Sequence, residues 1–175
     1  TVEEETGLTG ASQLPKDILS GKKLLNLDSE DMGEFTIGCA GGADTQVRLP
    51  LERKSGGNGP VYRLKLAGFK GGHSGIDINE GRGNAIKLLA RLLWKASRKI
   101  SFQLVNIEGG NLRNAIPREA WADLACESGK ERDLKQIFQD EFEAVKQEFR
   151  AQEPDARHEF TKTEAANKPP FTQDL

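Results

Sequence analysis

The stretch VYRLKLAGFKGGHSGIDINEGRGNAIKLLARLLWKAS, residues 61–97, changes its period once, and that change decides the fold. At first the side chains alternate. Tyr62, Leu64 and Leu66 fall on one face and Arg63 and Lys65 on the other, which is the two-residue period of a strand. From about Asn84 to Ser97 the period lengthens, and Ile86, Leu89, Leu93 and Ala96 recur at helical spacing. Between strand and helix lies KGGHSG (70–75), where three glycines crowd one of only two histidines in the chain.

Downstream, ISFQLVNI (100–107) reads as a strand and EGGNLRNAIP (108–117) as a loop. REAWADLACE (118–127) is a further strand with Ala120, Ala122, Leu124 and Cys126 on one side. The run from about Lys130 to Gln152 is the clearest helix: Leu134, Phe138, Phe142, Val145 and Phe149 share a face and the rest is charged. HEFTKTE (158–164) is short enough to close a sheet as its last strand. Upstream, EFTIGCA (34–40) and TQVRLPLERK (45–54) alternate as an extra N-terminal hairpin, and SGGNGP (55–60) is a strong turn. KKLLNLD (22–28) reads as a brief strand, and EEETGLTGASQL (3–14) can open as a short helix with acidic residues in its first turn. Without the hairpin the order is β-α-β-β-α-β. This predicts an α+β, ferredoxin-like antiparallel sheet with two helices on one face.

Composition narrows the function. Charged residues make up 30% and hydrophobic residues 36% of the 175, as in a soluble globular chain. A net charge of −2 argues against a nucleic-acid surface, and 6% aromatics against a base-stacking platform. No stretch approaches the roughly 20 apolar residues of a membrane span. Cys39 and Cys126 form no CxxC pair and read as two buried thiols of a reducing compartment. Thr1 opens a segment without signal-peptide layout, so the chain is expected to be cut from something longer or to be a processed product.

Several residues could carry chemistry. Adjacent carboxylates in Glu3, Glu4 and Glu5 point about 100° apart on a helix, so one can hold a metal while its neighbour reaches a bound water. The plainer reading is an acidic helix start. Asp28 closes an apolar strand, from whose end a carboxylate can reach a ligand, although the plainer reading is an ordinary turn aspartate. His73 sits on a loop too glycine-rich for packing and is either an exposed turn histidine or a donor to a developing oxyanion. Asn111, Arg113 and Asn114 lie in a turn where asparagine can bind peptide-like groups and arginine a carboxylate, or where they only hold backbone. GRGNAI (81–86) lacks the third glycine of a dinucleotide loop, and GGHSG is not a nucleophile elbow.

TVEEETGLTGA, NLDSEDMGEFTIGCAGG, GFKGGHSGIDINEGRGNAIKLLARLL and EGGNLRNAIPREA occur in that order. Together they resemble the aminoacyl-histidine (Xaa-His) dipeptidases of the di-zinc aminoacylase and carboxypeptidase superfamily, over roughly residues 1–127. The resemblance implies a catalytic domain holding two zinc ions, with cobalt or manganese as substitutes, and a lid domain inserted into it. Residues 1–31 would be a piece of the catalytic domain and residues 32–175 the lid, with a linker-like tail from about residue 165. By motif, Glu4 matches the general base, Glu5 a metal ligand and Asp28 a further ligand. His73 matches the lid histidine that stabilises the oxyanion, Asn114 a lid residue contacting substrate, and Arg113 a further substrate contact. The implied partners are a dipeptide and a second copy joined through the lid, in the cytoplasm, with neither nucleic acid nor membrane. The family's His-x-Asp motif, bridging aspartate and C-terminal metal histidine are not among these residues. The isolated chain is therefore expected to be inactive, the parent being the hydrolase. The alternative is a lid that dimerises without chemistry of its own.

Overall fold

The computed structural model describes residues 9–27, 32–38, 43, 45–53, 59–163 and 169–172. The chain divides into two units, Thr1–Val47 and Arg48–Leu175. The second carries the α+β fold. Its elements are β1 (Val61–Ala67), β2 (Gly72–His73), α2 (Ala85–Ser97), β3 (Gln103–Gly109), β4 (Ala115–Ile116), β5 (Ala120–Ala125), α3 (Glu131–Glu148) and β6 (Arg157–Lys162); the first unit holds α1 (Thr9–Ser12). Four strands form an antiparallel sheet in the order β3-β5-β1-β6, while β2 and β4 pair with each other as a separate two-stranded ribbon. Without the ribbon this is the expected β-α-β-β-α-β arrangement.

Alternation sets what the sheet buries. Leu64 and Leu66 of β1 join Ala120, Ala122 and Leu124 of β5 in one core with both helices. From α2 come Leu88, Leu89, Leu92 and Ala96, and from α3 Leu134, Phe138, Phe142 and Val145. The buried face of α3 is the one its period predicts. That of α2 is turned: Leu88 and Leu92 go inside, whereas Ile86 is partly exposed. Asn84 caps α2 by accepting from the Lys87 N–H at 3.0 Å. On the sheet face away from the core, Arg63 grips buried Asp123 with two bonds of 2.7 and 2.9 Å.

The expected N-terminal hairpin and the strand in KKLLNLD are corrected. Residues 22–27, 34–38 and 45–50 carry no strand, and Leu25, Phe35, Ile37 and Val47 stand exposed. Alternation alone does not hold a strand, because an isolated two-stranded hairpin is marginal without a third strand or an apolar layer against it. The tail does more than link. Phe171 forms a bridge with Arg53, its N–H donates to the Leu104 carbonyl at 2.8 Å, and the Arg53 guanidinium lies 4.0 Å from the Phe171 ring centre.

Candidate functional site

The ribbon brings together two residues that lie 41 positions apart in the sequence, His73 and Asn114. Gly72 pairs with Ile116 and His73 with Ala115, and the Ser74 N–H donates to the Asn114 carbonyl at 2.9 Å. His73 and Asn114 therefore sit at one end of the same ribbon, both exposed. Glycine is required on the way in. Gly71 and Gly72 have φ of 67° and 144°, and a Cβ on Gly72 would collide with the side chains of Asp77 and Arg82.

The imidazole of His73 is set by its own loop. Its Nδ1 accepts from the N–H groups of Gly75 at 3.1 Å and Ile76 at 3.2 Å. Two donors at Nδ1 require that nitrogen to be unprotonated, so the neutral ring carries its proton on Nε2. The backbone beneath is tied as well. Asp77 Oδ2 accepts from the His73 N–H at 2.7 Å, and Asp77 Oδ1 accepts from Arg82 at 3.1 Å. Arg82 also donates to the Gly71 carbonyl at 2.7 Å. A loop that looked too mobile to hold a side chain thus fixes one hydrogen-bond donor.

Beside the ribbon, a cleft of about 780 Å³ opens on the sheet face away from the helices. Lys65, Lys70, Arg118 and Arg157 line it with Trp121, against two carboxylates, Glu119 and Glu159. Lys65 already pairs with Glu119 at 3.0 Å. The remaining positive balance suits a ligand bearing a carboxylate. Sequence reasoning missed Asp77, Arg82 and Arg118. Asp77 and Arg82 lie in GIDINEGR (75–82), a run without period, and Arg118 follows the loop's proline.

Arg113 precedes Asn114 and is exposed. Glu4, Glu5 and Asp28 lie outside the described residues. Among the described residues, no three His, Cys, Asp or Glu side chains gather closely enough to hold a metal.

Residues 64–153 match the family model described as the peptidase dimerisation domain, M20 type. The chain is 42% identical over 154 residues to the cytosol non-specific dipeptidase of Escherichia coli (strain K12), a match covering 87% of this chain and 32% of that protein. It is 38% identical to the crystal structure of aminoacylhistidine dipeptidase from Vibrio alginolyticus, with a TM-score of 0.78, over 99% of this chain and 35% of that one. The chain thus spans about a third of the length of these relatives.

Proposed function

The chain belongs to the M20 peptidase dimerisation domain family, and from this we propose that it is the lid-bearing part of a metal-dependent dipeptidase acting on Xaa-His-type dipeptides. The observation that carries the reading is the imidazole of His73 with its Nδ1 accepting from two backbone N–H groups, and Asn114 beside it across the ribbon. Hydrolysis of a peptide bond develops negative charge on the carbonyl oxygen, and a positioned N–H donor stabilises that charge more than it does the ground state. Nε2–H of His73 is that donor. Asn114 and Arg113 contact the peptide, and the basic cleft favours its carboxylate end. Residues 1–31 belong to the catalytic domain of the parent, where Glu4 is the general base and Glu5 and Asp28 are metal ligands. Residues 32–175 form the lid.

Two metal ions, zinc by resemblance, would supply an activated water and polarise the carbonyl. The described residues offer no cage for them, and the part proposed here for the described residues is that of His73 and its neighbours. A cytoplasmic setting is supported by the similarity to the cytosol non-specific dipeptidase of Escherichia coli. No helix among the described residues is long and apolar enough to cross a membrane.

The test is His73→Ala in the full-length parent. Loss of one oxyanion donor should lower kcat by about 10²–10³-fold with the circular dichroism unchanged. An unchanged kcat would return His73 to being a turn residue.

A homodimer through the lid is favoured by the character of the sheet's two edges. β6 reads RHEFTK, a charged edge of the kind that discourages pairing. β3 reads QLVNIEG, and its Ile107 and the neighbouring Ile86 of α2 are partly exposed. Arg53 and Phe171 occupy the carbonyls of Val105 and Leu104, which among the described residues leaves the stretch from Asn106 to Gly109 for a second copy.

A further inference from the structure

Glu153 is a buried carboxylate beyond the end of α3, 2% exposed. Its two oxygens reach the two ends of the His73 loop. Oε2 accepts from the Lys70 N–H at 2.7 Å, and Oε1 accepts from the Gly83 N–H at 2.8 Å. These partners lie 83 and 70 residues away in sequence, at the exit of β1 and just before the cap of α2. The surroundings are built around this clasp. A Cβ on Gly83 would stand 2.6 Å from the Phe69 ring and 3.4 Å from Glu153 Cγ, so only glycine lets the loop close onto the carboxylate. The Glu153 backbone is itself pinned, its N–H donating to the Phe149 carbonyl at 2.8 Å and its carbonyl accepting from Ala156 at 3.2 Å.

We infer that Glu153 is a positioning residue for His73: it clamps both ends of loop 70–83 so that the imidazole is presented at one fixed place. The inference rests on the reading of His73 as the oxyanion donor. The line of force is short. Glu153 fixes Lys70 and Gly83; next to them Gly71 and Arg82 are joined by a bond of 2.7 Å. Arg82 then holds Asp77, and Asp77 holds the His73 backbone. The chemistry requires a carboxylate. Both partners are donors, so both oxygens must accept, and an amide would set an NH₂ group against one of them. An apolar side chain would leave two buried N–H groups without partners.

The test uses the full-length parent with Glu153→Gln, His73→Ala and the pair combined. Glu153→Gln keeps the volume and loses one acceptor. It should lower kcat by about 10²-fold, the order of loss that follows a misplacement of about 1 Å at a reacting group, and change KM little. In the His73→Ala background the same substitution should cost nothing further, because the group it positions is already gone. Glu153→Asp, with both acceptors on a shorter arm, should recover part of the kcat. Amide hydrogen exchange on the chain should speed up at Lys70 and Gly83 in Glu153→Gln and stay unchanged in the middle of α3. An equal loss of kcat in the presence and absence of His73 would overturn the inference and make Glu153 a general structural residue. So would a wild-type kcat in Glu153→Gln despite faster exchange. Should His73→Ala itself leave kcat intact, the oxyanion reading fails first, visibly, and the inference falls with it.

Discussion

His158 is the other histidine, and its environment is the opposite of that of His73. It sits on β6 with its ring 4.6 Å from that of Phe142. Burial pushes its pKa below the ordinary histidine value, and nearby Lys135 and Lys146 push the same way against Glu143. The charged form is therefore disfavoured in the folded chain and not in the unfolded one. Unfolded chain then binds the proton more readily, so stability is full above about pH 6.5 and declines as pH falls through that value. Denaturant midpoints at mildly alkaline and mildly acidic pH should show this decline, and His158→Leu should flatten it. A variant as pH-sensitive as the original would refute the assignment. Cys126 is a further residue whose setting decides its chemistry. It is buried, and burial raises its thiol pKa with help from Glu131, so it is packing material and not a nucleophile. Legibility was uneven at this scale. The scarcity and glycine setting of His73 were visible in sequence, whereas its tautomer depended on where Gly75 and Ile76 direct their N–H groups.

The two helices are joined by more than their apolar faces. Glu141 of α3 takes Lys95 of α2 and Lys99 beyond its end, each at 2.7 Å. Hydrogen bonds from Lys95 and Lys99 hold its carboxyl below the usual range against a smaller effect of burial. A lowered carboxylate pKa adds stability above about pH 4.3, and this is lost as pH falls below it. Both lysines are partly solvated, so Glu141→Gln should cost only about 0.5–1 kcal/mol in urea at neutral pH, and less in high salt. A loss that ignores salt would point to packing instead. Helix period identified the buried stripe of α3 because its apolar residues occupy one face. α2 has apolar residues on several faces, so period could not choose between Ile86 and Leu88. The sheet chose, since Gly109 and Ala120 in neighbouring strands bring Ile86 against the β3 edge and leave Leu88 and Leu92 for the core.

For the chain as a whole, the proposed function expects association from the lid alone and turnover only in the full-length parent. The isolated chain should give no turnover of a Xaa-His dipeptide above buffer with zinc or cobalt, yet light scattering should show its mass doubling as concentration rises. Turnover would refute the first expectation, and a mass that stays monomeric would refute the β3-edge dimer. The order β-α-β-β-α-β, the buried stripe of α3 and the isolation of His73 among glycines were legible in the sequence, although α3 ends at Glu148, short of the expected Gln152. These depend on neighbours one to four residues apart, where period and backbone freedom are written directly. It overreached at residues 34–54, where alternation was present but no layer among the described residues supports a hairpin. The pairing of residues 72–73 with 115–116, and the closing of Glu153 on Lys70 and Gly83, come from the packed fold. Those contacts join groups roughly 40 to 80 positions apart. No local preference specifies them; they form because the sheet and its helices, once packed, hold these backbone donors and acceptors within reach of one another.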